Sequence, residues 1–284
     1  MSNKVTSAAD AELFQSNGSR IETFFELDSF VGKLLRPMID ASSVAQKATG
    51  TVVFDNGVSA ETDVFGLLFG DASLGFTTLL ATNYVNQTNE VMGIFSIVSG
   101  TPQRVKIEEI LVWDSQLCAT ILCSVEDYDL AFFATDFYYN KEKYLENEYL
   151  DIELAAFAPK AEEADKGFSF EGQQAVDWLA KIGQEPTYND DGTVQPVKFS
   201  TENLVAYLTL EKKTPDEAQF QSPAGPVESL SFVGIDFYKT TVAIRGNGAD
   251  FRVPIIFRKD FIPNLEEGMP IRGYSCMTGR VSGK

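Results

Sequence analysis

The chain has 284 residues and no histidine. That absence removes Ser-His-Asp and Cys-His nucleophilic catalysis, the usual proton shuttle near neutral pH, and His-ligated zinc or iron. Cysteine is scarce too, with three in all: Cys118, Cys123 and Cys276. Cys118 and Cys123 are five apart on one extended run, which points them to opposite faces. No C-x-x-C pair exists, so the sequence predicts no metal site and no cofactor. Three thiols cannot all pair within a chain, whereas small secreted proteins carry even sets. The N-terminal "MSNKVTSAADAELFQSNGSR" has no apolar signal core, and no stretch approaches the roughly 18 uninterrupted apolar residues of a membrane span. These absences predict a cytoplasmic protein with no membrane partner. The Asn17-Gly-Ser and Asn86-Gln-Thr sequons are then chance matches.

Basic charge is in short supply. There are 23 Lys and Arg against 41 Asp and Glu, a net of −18. Such a field repels anionic membranes and duplex nucleic acid at long range. The imbalance is uneven. Glu126 to Glu171 holds 13 acidic and 4 basic residues, a net of −9, whereas Arg245 to Lys284 holds 7 basic and 4 acidic, a net of +3. The two stretches are expected to face different partners or each other.

Carboxylates are plentiful, and Glu108, Glu109, Asp127, Asp129 and Asp136 could supply a general acid and base. "YNDDGT" (Tyr188 to Thr193) has the look of a calcium loop. Lys198 stands where an EF-hand requires Glu, so the segment reads as a polar turn.

The chain is 44% hydrophobic, with 22 Phe and 10 Tyr, and much of it falls into short apolar runs. The expected fold class is mainly β with a few short helices. Residues 1–19 read as a disordered tail. "SRIETFFELDSFVGKLL" follows as a helix capped by Ser19 and Glu22 and ended or bent by Pro37. "TVVFDNGVSAETDVFGLLFG" reads as a hairpin turning at Asn56-Gly57. Apolar runs at Phe76 to Leu80 and Val91 to Val98 extend this β region. From Val105 the order is three strands, the helix "DFYYNKEKYL" capped by Thr135 or Asp136, and a fourth strand, "EYLDIELAAFA". Residues 161–203 form an acidic helical linker carrying "EGQQAVDWLAKIG". A similar order of strands returns from Val227. The expected domains are therefore 20–160, with a small β unit at 105–158, and 204–284.

This strand pattern at Val105 to Ala158 and Val227 to Val281 resembles the oligonucleotide/oligosaccharide-binding (OB) fold, a five-stranded Greek-key barrel. The resemblance implies two tandem OB-like barrels, preceded by the N-terminal helix and hairpin. It also implies ligand binding across the second and third strands. The closing "GMPIRGYSCMTGRV" is similar to the last strand of uncharacterised bacterial proteins, and that likeness carries no activity with it.

"KTTVAIRGNGADFRVPIIFR" (239–258) contains a glycine loop, but no Gly-Lys-Ser/Thr and no G-x-G-x-x-G. Extended runs flank it on both sides, so Gly246-Asn247-Gly248 reads as a hairpin turn. After it, Phe251, Val253, Ile255 and Phe257 face the core, and Arg252, Pro254, Ile256 and Arg258 face away. Tyr238, Lys239, Arg245, Arg252, Arg258 and Arg272 form the candidate ligand-binding set, since cations interleaved with aromatic rings suit anionic or stacking ligands. The competing reading pairs these arginines with the acidic middle of the same chain. The expected function is a non-enzymatic binding module for a partner protein or anionic ligand, with single-stranded nucleic acid as a possible target. The alternatives are an acidic inhibitor or immunity-type protein docking a basic partner, and a carboxylate-dependent carbohydrate hydrolase.

Overall fold

A computed structural model describes residues 3–7, 33, 35–54, 57–71, 73–84, 87–209, 215–245 and 250–283. The capped start of the helix expected from Ser19, Asn56 of the first hairpin turn, the Gly246-Asn247-Gly248 turn and both sequon asparagines lie outside these residues, whereas Pro37, expected to end or bend that helix, lies inside the helical segment Leu35–Ala41. The described chain is mostly strand with three short helices, as its alternating apolar runs require.

Strand β1 (Lys4–Ser7) lies within the stretch expected to fray. It pairs in parallel with Glu109 to Val112, and the Asn3 amide donates to the carbonyls of Tyr144 and Asn147. After helix α1 (Leu35–Ala41), strands β2 (Ser43–Val53), β3 (Ser59–Gly70), β4 (Leu74–Asn83) and β5 (Thr88–Val98) make a four-stranded antiparallel meander. Gly57, at φ 78°, sits in the β2–β3 turn where the sequence placed it.

Strands β6 (Thr101–Val112), β7 (Ala119–Val125) and β8 (Tyr128–Ala134) follow, then helix α2 (Phe137–Glu146) and strand β9 (Tyr149–Glu163). An excursion comes next, with β10 (Gly167–Phe170), helix α3 (Gly172–Lys181) and β11 (Val197–Ser200). Strands β12 (Ala206–Thr209), β13 (Glu217–Pro223), β14 (Glu228–Phe232), β15 (Ile235–Arg245), β16 (Asp250–Arg258) and β17 (Pro270–Val281) complete the chain.

Five of these strands close a barrel in the order β6-β7-β8-β17-β9 and back to β6. The closing strand is the last in sequence. β17 pairs in parallel with β8 at Thr278 opposite Phe133 and Gly279 opposite Ala134. Its other edge runs antiparallel to β9. Alternation sends Ile121, Cys123, Leu130, Phe132, Ile152, Leu154 and Met277 into one buried cluster. Phe133, Ala155, Phe157 and Cys276 point the other way, into separate clusters.

Among the described strands one barrel closes, and the expected second one is not formed as a separate closed copy. β9 has 15 residues, about 50 Å at 3.3 Å per residue, and overshoots the first barrel. β17 bends with it through a register shift between Tyr274 and Cys276. Their protruding halves become two walls of a second, open lobe. β16 joins β9 in parallel at Ile255–Ala156 and Ile256–Phe157, β15 and β14 follow β16, and β13 and β12 extend from β17. The lobe narrows where the Ala243 amide donates to Ser222 Oγ and the Gly225 amide to the Thr241 carbonyl, both at 2.9 Å. Its interior residues, Tyr207, Phe220, Val242, Ile244, Phe251, Val253, Ile255 and Phe257, belong to the same buried cluster as the barrel interior. The two lobes thus share one core. The core-facing set read from "FRVPIIFR" is the observed one.

The meander caps the barrel from outside. Val52, Phe54, Val64, Leu79 and Phe95 pack on Leu117, Cys118 and Phe133. Phe133 meets Phe95 at 5.4 Å and Trp113 at 5.3 Å, both edge-on. Leu74, Phe76 and Val98 pack on Ala155, Phe157, Phe237, Ile256 and Cys276. The outward side of β8 is therefore filled by the chain's own residues. Pro254 and Ile256, expected on an outward basic face, are both buried.

In the run that begins at Val227, a turn at Val233-Gly234, with φ of 51° and 76°, divides β14 from β15. Asp136 is the residue before α2, yet its side chain makes no cap bond to the helix backbone.

Candidate ligand groove

The six candidate residues do not share one surface. Lys239, Arg245, Arg252 and Arg258 lie on one face of the β15–β16 pair, since opposite residues share a face and Lys239–Ile256, Ala243–Arg252 and Phe237–Arg258 are opposite. Arg252 and Arg258 are six residues apart, roughly 20 Å along the strand. Tyr238 is opposite Phe257 and leans to the core side, its ring 6.4 Å from that of Phe257. Its hydroxyl donates to the Pro263 carbonyl at 3.0 Å. Arg272 is on β17, away from this pair.

Most of the cations have protein partners. Arg245 pairs with Asp250 at 3.1 Å, Arg258 with Asp260 at 3.0 Å, and Lys239 Nζ donates to Ser99 Oγ at 2.6 Å. Arg252 donates to Thr241 Oγ1 at 3.3 Å and carries no ion pair among the described residues. Asp260 is held below the usual carboxylate range by the hydrogen bond from Arg258, and Arg245 is pushed up by the bond to Asp250.

Arg272 stands in a different setting. The shared ladder places four strands side by side, β12, β13, β17 and β9. Registers align two rows across them: Ala206, Gln221, Arg272 and Glu162, and next to it Leu208, Gln219, Tyr274 and Lys160. These eight residues, with Phe220 and Gly273, line an open groove of about 300 Å³. Arg272 Nε donates to Glu162 at 2.9 Å and Nη1 to Asp165 at 3.2 Å, and those bonds raise its pKa. A guanidinium has five N–H groups, so three remain unused. Two carboxylates fix the plane of the fork and leave its other donors for a ligand. Gln219 Nε2 donates to the Tyr274 hydroxyl at 3.3 Å. Lys160 is exposed and has no ionic partner among the described residues. The groove thus offers guanidinium, ammonium and amide donors beside a phenol ring and the exposed Leu208 side chain.

Sequence reasoning missed Lys160, Gln219, Gln221 and Tyr274. The signal was the alternation in "EAQFQSP", where Ala218, Phe220 and Ser222 are buried between polar neighbours. What was missing was the neighbour of β13, which is fixed only by long-range pairing.

The candidate carboxylates are spread over the barrel, and none lines the groove. Glu109 accepts from Lys4 at 2.8 Å and from Thr6. Glu108 accepts from Lys106 at 2.9 Å. Asp127 sits in the β7–β8 turn at φ 66°. Asp129 is exposed opposite Ser124. Asp136 is buried, accepting from Tyr144 Oη at 2.6 Å, Asn140 Nδ2 at 2.7 Å and the Val281 amide at 2.8 Å. "YNDDGT" is a polar turn in which Asp191 caps Thr193. All three cysteines are buried and no disulfide joins them. Among the described residues no helix is long and apolar enough to cross a membrane. No family model, no curated protein and no solved structure matches the chain.

Proposed function

We propose that the chain is a non-enzymatic, cytoplasmic binding module built on an OB-type barrel, and that it takes an anionic group through the Arg272 groove. The OB reading is supported by the order β6-β7-β8-β17-β9, by a helix between the third and fourth barrel strands, and by the parallel third and fifth strands. The meander fills the outward side of the third strand, so the ligand face moves from the second and third strands to the extension of the fourth and fifth.

The observation that carries the reading is the pre-set Arg272 fork, held by Glu162 and Asp165 in a groove that also contains Lys160. The anionic group is a carboxylate or phosphate, free or on a partner protein. Charge-assisted hydrogen bonds from a pre-oriented guanidinium are stronger than neutral ones. The test is a nitrogen-15 NMR titration with inorganic phosphate and with a tetraglutamate peptide. The Gln219 and Gln221 side-chain amides should shift saturably, and R272A should bind about tenfold more weakly or worse. Unmoved amides in the wild-type protein at low salt would remove the reading.

A further inference from the structure

The excursion between β9 and β12 carries a second surface. In its two-stranded sheet Phe168 is opposite Phe199 and Phe170 opposite Val197, so all four share a face. Phe168 and Phe199 stack at 4.9 Å with 17° between their planes. Trp178 of α3 covers only part of this face, packing on Phe170 at 5.3 Å and Phe199 at 5.5 Å. Phe168 stays 52% exposed, and Ile182, one turn beyond Trp178 on the same side of the helix, is 49% exposed.

The segment that carries these rings is acidic. Residues 164–205 contain Asp165, Glu171, Asp177, Glu185, Asp190, Asp191 and Glu202, all exposed, against three lysines. Of these carboxylates only Asp165 has a cationic partner among the described residues. Lys198 is opposite Ser169, which puts it on the other face of the sheet from Phe168.

We propose that this aromatic face docks a basic, apolar segment of a partner protein, one in which Lys or Arg alternates with Leu-like side chains. Charge selects that occupant. A second copy of the chain would bring acid against acid, and a nucleic acid or anionic bilayer would be repelled. A basic segment gains on each count: its cations meet unpaired carboxylates, its apolar side chains cover Phe168 and Ile182, and its Lys or Arg can sit over the exposed ring. Apart from Asp165, which pairs with Arg272, no residue of this segment belongs to the Arg272 groove, and the variants below leave Asp165 in place, so either reading can fail without the other.

The test uses W113F, which leaves Trp178 as the only indole in the chain. The probe is the peptide Lys-Leu-Lys-Leu-Lys-Leu-Lys, with its Glu-for-Lys counterpart as control. Trp178 emission should shift saturably with the basic peptide and not with the acidic one. F168A should weaken the response at least about tenfold, the loss expected of a central aromatic contact. E171Q/D177N/E202Q, which alters only exposed carboxylates, should weaken it by a similar factor and flatten its salt dependence. The proposal is overturned by an unresponsive Trp178, by an equal response to the acidic peptide, to oligo(dT) or to anionic vesicles, or by full binding in both variants.

Discussion

Asp136 is surrounded by donors. Its two oxygens accept from a phenol, an amide and a backbone N–H, which tie α2 to the last strand of the barrel. Burial pushes its pKa above the ordinary 3.8, and the three donors pull against that. The sign follows from linkage. A folded-state pKa above the unfolded one gives a contribution that is full below the unfolded value and is lost as pH rises through the folded value. The stability margin of wild type over D136N should therefore be widest below pH 3.8 and shrink as pH rises, as read by urea midpoints across a pH series. Val233 is a second informative residue. A β-branched side chain at φ 51° is strained by about 1–2 kcal/mol. V233N suits the turn and should raise stability by about 1 kcal/mol, seen as a higher urea midpoint at unchanged slope.

At the scale of elements, β9 and β17 decide the architecture. Their apolar alternation was readable, and the helices "DFYYNKEKYL" and "EGQQAVDWLAKIG" fall within a residue or two of the stretches read for them, though neither has a side-chain cap bond. Their partners were not readable. "GMPIRGYSCMTGRV" looked like the fourth strand of a second unit because chain order puts it there. It is the fifth strand of the first, paired with residues more than 100 positions earlier. Gly279 marks that junction. A Cβ there would lie 2.5 Å from a Phe132 ring carbon and 2.8 Å from Ile152 Cγ2. Both neighbours are fully buried, so G279A should cost about 1–3 kcal/mol through overpacking. Thermal melts would detect the loss, and an unchanged melting point would mean that the barrel seam is looser than its contacts imply. The candidate site divides in the same way. Arg272 was picked out as a cation on a strand, but Lys160, Gln219, Gln221 and Tyr274 joined it only through the registers of three other strands.

At the scale of the whole molecule, the shared strands give the two lobes one buried core. A fragment ending at residue 160 would fold alone if the chain were two tandem domains. With β17 supplying one wall to both lobes, that fragment should lack cooperative unfolding and native near-ultraviolet dichroism. A cooperative transition in it would contradict the shared-wall arrangement. The sequence by itself determined the class of the fold, the inward and outward sides of its strands, and the chemistry closed to a chain without histidine. These are properties of composition and of two-residue periodicity, which act within a few neighbouring residues. Tertiary structure alone decided which strands are neighbours, that the outward side of the third barrel strand is covered by the meander, and which polar side chains share a groove. Strand pairing at long separation depends on burying a common core, and no short window of sequence contains that information.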